Sequence, residues 1–92
     1  MNYFLYMFNV LVIEDDSVML KAIEYILKKD GFNTISAKNG KEAFEIIDSG
    51  SYDLVITHLI MPFGSGMDVI SRVRNHPTAW SAGIIVISAM GQ

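Results

Sequence analysis

Ninety-two residues fill one compact domain and leave no room for a second. Hydrophobic residues make up 51% of the chain and the mean hydropathy is +0.34, which excludes disorder and collagen-like structure, while no apolar run reaches the roughly 18 residues of a membrane-spanning helix. The net charge of −3, with Lys21, Lys28, Lys29, Lys38, Lys41, Arg72 and Arg74 scattered rather than striped, argues against electrostatic binding of nucleic acid.

Residues 1–8 are apolar and aromatic (Tyr3, Phe4, Tyr6, Phe8) but have neither a basic start nor a small-residue cleavage site, so they do not read as a signal peptide. They read as a leader that lengthens the first strand or forms an exposed contact patch. The absence of cysteine fits a cytoplasmic setting and removes any disulfide framework or thiolate metal site.

Residues 9–13 form a β-branched run that stops at three acids, the pattern of a strand buried on both faces. Ser17 is placed to cap a helix to Lys29, with Val18, Met19, Ala22, Ile23, Ile26 and Leu27 as its apolar positions and Gly31 just past its end. A short second strand follows at 33–37. Asn39-Gly40 turns into a second helix over 41–48, with Ala43, Phe44, Ile46 and Ile47 inward. Residues 53–57 are a third strand, 58–66 a loop, and 67–75 a third helix with Val69, Ile70 and Val73 inward. A polar stretch holds His76, expected in solvent, and Trp80, expected over the sheet edge. A fourth strand spans 84–88. Apolar strands alternating with helices predict an α/β fold, a doubly wound parallel sheet with helices on both faces. Met19, Met61, Met67 and Met90 are expected as gap-filling core or loop residues rather than a metal-binding set.

In such a sheet ligands bind beyond the carboxyl ends of the strands. Those ends carry Glu14, Asp15 and Asp16 after the first strand, His58 after the third, and Ser88 and Ala89 after the fourth. Adjacent carboxylates there suit Mg2+; equally, an acidic cluster can simply open a helix, favoured by the helix dipole. The second reading fits Asp16 best.

The sequence resembles the receiver domain of two-component response regulators over about residues 9–90. The resemblance is carried by VLVIEDD at 10–16, AKNGKEAFEII at 37–47, YDLVITHLIMPFGSGMDVI at 52–70 and IIVISAM at 84–90. It implies a flavodoxin-like sheet of order 2-1-3-4-5, of which this chain carries 2-1-3-4. It also implies a histidine kinase that passes a phosphoryl group to an aspartate at the end of the third strand, with Mg2+ on an acid pair. Residue by residue, Glu14 and Asp15 fall on the acid pair and the carbonyl of Ile60 on a further metal ligand. Ser88 falls on the hydroxyl that contacts the phosphoryl group, and Ala89 on the small residue beside it. Met61-Pro62 and Gly66 fall on the loop after the acceptor.

The acceptor position itself is His58. Asp53 lies five residues earlier, at the strand's opposite end, and does not replace it. No lysine follows Lys41, so the family's strand-five lysine has no counterpart, and residues 1–92 read as a single receiver domain cut short after its fourth strand. Three roles are open to His58: a packed residue with no function; a ligand beside Glu14, Asp15 and the Ile60 carbonyl in a site for Mn2+ or Zn2+ rather than Mg2+; or an imidazolium that neutralises the acid pair without metal.

These features lead to a degenerate receiver that is not an enzyme and that signals by binding a histidine kinase or other signalling protein. A fourth strand left at the sheet edge, Ile84, Ile85, Val86 and Ile87, predicts a homodimer through that edge. The alternatives are a receiver that takes phosphate on His58 or an acid-pair residue such as Asp15, and a fragment of a full-length active receiver.

Overall fold

The computed structural model describes residues 8–58, 60–61 and 64–87. In chain order they form β1 (Asn9–Ile13), α1 (Ser17–Lys29), β2 (Asn33–Ala37), α2 (Gly40–Ser49), β3 (Leu54–His58), β4 (Ile60–Met61), β5 (Gly64–Ser65), α3 (Gly66–Arg74) and β6 (Gly83–Ile87). The main sheet has the order β2-β1-β3-β6 with every pair parallel. This is the flavodoxin-like 2-1-3-4 arrangement expected from the sequence, β6 being the fourth predicted strand. The segment expected as a plain loop after β3 contains a small antiparallel pair, β4 with β5.

β1 is covered on both faces, as its unbroken apolar run requires. Leu11 and Ile13 join Val55, Ala43, Ile47, Val69 and Val73 in one cluster, under α2 and α3. Val10 and Val12 join Leu20, with Ile23, Leu27, Leu54 and Ile56 packed around them, under α1. Each fully buried side chain of this size contributes about 1.5–3 kcal/mol as an upper estimate. Cutting Leu11 back to alanine would therefore cost about 2–5 kcal/mol, cavity included.

α1 buries only part of the apolar set predicted for it, Ile23 and Leu27, together with Leu20. These pack on the sheet, whereas Val18, Met19 and Ile26 are 77, 48 and 60% exposed. Two apolar rows run along this helix, and only one can lie over Val10 and Val12. The cap is Asp16 rather than Ser17: the Asp16 carboxylate accepts from the amides of Val18 and Met19. At the other end Gly31, at φ 91°, follows the cap as expected, with Gly31 and Phe32 amides returning to the carbonyls of Lys28 and Leu27 in a Schellman turn.

α2 is capped by Asn39, whose side chain accepts from the Glu42 amide, and ends at Gly50. α3 begins with a capping box between Ser65 and Asp68 that the sequence reading missed. Arg72 of α3 pairs with Asp48 of α2 at 3.1 Å and lies over the Phe44 ring. Both partners of that ion pair are exposed, so its contribution is small.

Further corrections concern the segment before β6 and the methionines. His76 is not simply solvated: its Nδ1 accepts from the amides of Thr78 and Ala79, and its Nε2 reaches the Asp48 carbonyl. Trp80 is 58% exposed, and Ala79 and Ala82 do the packing there. Met67, like Met19, is exposed rather than gap-filling. β6 is expected at the sheet edge. Among the described residues it is a sheet margin, with Ile85 50% and Val86 38% exposed. Phe8 packs edge-on against Phe32 at 5.6 Å; Tyr3, Phe4, Tyr6, Pro62 and Met90 lie outside the described residues.

Candidate functional site

The site is built by strand register. Val10, Leu11 and Val12 pair with Leu54, Val55 and Ile56. Carried forward, that register sets Glu14 beside His58 at the carboxyl end of the sheet. Glu14 is held there because its amide donates to the Ala37 carbonyl at 2.9 Å, extending β1 along β2. On its far side His58 is in register with Ile87 of β6.

Side-chain chemistry then closes the corner. Nε2 of His58 meets Oε1 of Glu14, and Oε2 of Glu14 accepts from the Asp16 amide at 3.0 Å. An ionised carboxylate only accepts, so Nε2 carries the hydrogen in this pairing. Glu14 is 3% exposed and the His58 side chain 20%. The contact is thus mostly out of water, where it is stronger than at a surface. The Thr57 hydroxyl donates to the His58 carbonyl at 3.2 Å.

Asp15 is exposed at the bend after β1. Asp16 caps α1, where the dipole reading only expected an acid at the helix start. Ile60 is in backbone register with Ser65 in the β4–β5 pair. Ser88 and Ala89, the predicted phosphoryl-contact positions, lie outside the described residues. Asp53 is at the opposite end of β3, where its carboxylate accepts from the Asn9 amide at 2.7 Å.

A magnesium site does not fit the residues the structure brings together. Mg2+ takes oxygen ligands in near-octahedral geometry, but both Glu14 oxygens already have protein N–H partners. Among the described residues no three His, Cys, Asp or Glu side chains are grouped to hold a metal, so the Glu14–Asp15–His58 set predicted for Mn2+ or Zn2+ is assembled only as the Glu14–His58 pair. The sequence reading missed that the imidazole would engage one carboxylate specifically. Apolar runs buried on both faces do not fix the register between parallel strands, so the sequence carries no signal that singles out this carboxylate.

A cavity of about 440 Å3 lined by Phe8, Tyr52, Asp53, Thr78 and Ser81 opens at the other, amino-terminal end of the strands. It shares no residue with the Glu14–His58 corner. Among the described residues no helix is long and apolar enough to cross a membrane.

The sequence profile of the family described as response regulator receiver domain matches residues 10–92. The probable transcriptional regulator ycf29 of Porphyra purpurea is 33% identical over 84 residues, covering 91% of this chain and 40% of that protein. This chain therefore spans less than half the length of that relative. Among solved structures, a response regulator receiver domain protein from Clostridium thermocellum is 30% identical with a TM-score of 0.81, over 91% of this chain and 67% of that one. The receiver domain of the sensor histidine kinase PA1611 from Pseudomonas aeruginosa superposes with a TM-score of 0.82 at 22% identity, over 89% of this chain and 67% of its own, and shares the fold. That structure has a magnesium ion coordinated in its active-site cleft.

Proposed function

The chain belongs to the response regulator receiver family and is a receiver domain of two-component signal transduction, and we propose that within that pathway it acts by protein contacts rather than by aspartyl phosphorylation. The observation that carries this reading is the His58–Glu14 contact. Phosphoryl transfer to an aspartate needs a carboxylate oxygen in line with the donor and cations to absorb the developing charge. At the position that the sequence resemblance gives to the acceptor stands an imidazole, with one ring nitrogen already bound to the acid that would hold the metal.

A binding role is supported by the surface. Val18, Met19, Tyr25 and Ile26 are exposed on α1, an apolar row of the kind that lies against a helical partner. A histidine kinase or another signalling protein is the partner this reading assigns, in the cytoplasm. A homodimer through the β6 edge, with Ile85 and Val86 exposed there, is the second contact it assigns.

The test is incubation with acetyl phosphate and Mg2+ followed by intact mass. The protein is expected to gain no phosphoryl group. An acid-stable, hydroxylamine-labile adduct would overturn the reading. An acid-labile, base-stable adduct lost in His58→Ala would favour the second reading, a phosphoryl-accepting histidine, which the orienting carboxylate on Nε2 supports.

A further inference from the structure

Glu14 is a carboxylate with 3% exposure, and a charge taken out of water is tolerated only when it is paired or hydrogen-bonded. In a site built for a hard divalent cation the metal supplies that compensation. Here the chain supplies it. Oε1 takes the His58 Nε2–H and Oε2 takes the Asp16 amide, so neither oxygen of Glu14 lacks a partner.

Asp16 is committed to the first turn of α1, where its Oδ1 accepts from Val18 and Met19. Asp15 is an exposed carboxylate. The donor, meanwhile, is firmly placed: His58 is the last residue of β3, flanked in register by β6 on one side and by the continuation of β1 on the other. Reaching Glu14 therefore requires no loop movement.

We propose that His58 is a built-in replacement for the divalent cation, its imidazole N–H sealing the Glu14 carboxylate so that the acid pocket of this receiver is closed to Mg2+. The inference rests on the reading of His58 as the occupant of the acceptor position. Its consequence is specific: the pocket is blocked by one side chain, and replacing that side chain with a carboxylate opens it. The imidazole acts here as a hydrogen-bond donor to the acid, not as a metal ligand.

The experiment titrates Mg2+, and separately Mn2+, into the wild-type chain, His58→Asp and His58→Asn, followed by calorimetry and by the unfolding midpoint. Wild type is expected to show no saturable Mg2+ uptake and no shift of its midpoint. His58→Asp is expected to bind Mg2+ saturably and to gain stability from it, since a ligand that binds only the folded state raises the midpoint. His58→Asn, which adds an oxygen ligand without a charge, is expected to fall between them and keeps the test valid should the paired carboxylates of His58→Asp impair folding.

Equal Mg2+ affinity in wild type and the folded variants would overturn the proposal. So would saturable Mn2+ binding to wild type that His58→Asn abolishes, because the ring would then be a ligand. The two readings fail separately: wild type that binds Mg2+ but takes no phosphoryl group refutes the closed pocket alone. Wild type that gains an acyl phosphate without binding Mg2+ refutes the binding-module reading alone.

Discussion

Glu14 and His58 lie 44 residues apart in the chain and touch through Oε1 and Nε2. The same separation of 44 joins Asn9 to Asp53 at the opposite end of the same strand pair. One parallel register, β1 on β3, therefore sets both ends: an amide-to-carboxylate contact where the strands begin and an imidazole-to-carboxylate contact where they end.

The His58 end should be energetically visible. Removing the ring in His58→Ala leaves a buried carboxylate oxygen without its donor, an expected loss of about 1–3 kcal/mol. Adding Glu14→Gln removes the charge that suffers, so the double variant should lose less than the sum of the singles. Urea unfolding of the four proteins measures this. Strict additivity would mean that the contact carries no coupling.

Tyr52 gives a pH dependence with a definite sign. Its hydroxyl donates to the Ile47 carbonyl at 2.9 Å, and burial, with the nearby Asp48 charge second, pushes its pKa above the ordinary value. The folded state thus holds this proton more tightly than the unfolded chain does. Stability from Tyr52 is complete below about pH 10 and declines as pH rises above it. Tyr52→Phe should cost about 1 kcal/mol at neutral pH and flatten that alkaline decline. Chemical unfolding at neutral and alkaline pH checks both; equal alkaline slopes would assign the decline to other groups.

How far these contacts could be read in advance depended on what fixes each one. β1 was legible because an unbroken run from Val10 to Ile13 has no polar face to expose, and the alternating strands and helices then allow little but a parallel sheet. The inward face of α1 was not, since Leu20, Ile23 and Leu27 share a helix with an equally apolar row of Val18, Ala22 and Ile26. Only the sheet beneath chooses between them. Asp16 and Ser17 are both good caps, and one residue of difference in helix start decides which is used. At the site, residue types were legible from position at strand ends, but the pairing of Glu14 with His58 is a property of register, which alternation of apolar residues does not specify between parallel strands apolar on both faces.

Gly50 and His76 form a second coupled pair. Gly50 closes α2 at φ 74°, and a Cβ there would stand 2.7 Å from Cε1 of His76. Gly50→Ala meets both the left-handed penalty of about 1 kcal/mol and a displaced ring. His76→Ala removes the acceptor for the Thr78 and Ala79 amides and the contact to the Asp48 carbonyl, an expected loss of about 1–2 kcal/mol. With the ring gone the clash is gone, so Gly50→Ala should cost less in the His76→Ala background than in wild type. Thermal unfolding of the four proteins measures it, and a larger cost in that background would refute the steric account.

The β6 margin makes the final prediction. Its five residues, Gly83–Ile87, carry no charge or proline, the devices that usually keep an edge strand from pairing. Ile85 lies in register with Ile56 and Val86 with Thr57, yet both are substantially exposed, at 50 and 38%. Two copies related by a two-fold axis can bring these edges together antiparallel, each strand supplying what the other lacks. Sedimentation should show association that grows with concentration in the micromolar range, and Val86→Lys should abolish it while changing stability by no more than about 0.5 kcal/mol, as surface substitutions do. A wild-type chain that sediments as a monomer across that range, or a Val86→Lys variant that associates as wild type does, would show that the β6 edge is not where copies of this receiver meet.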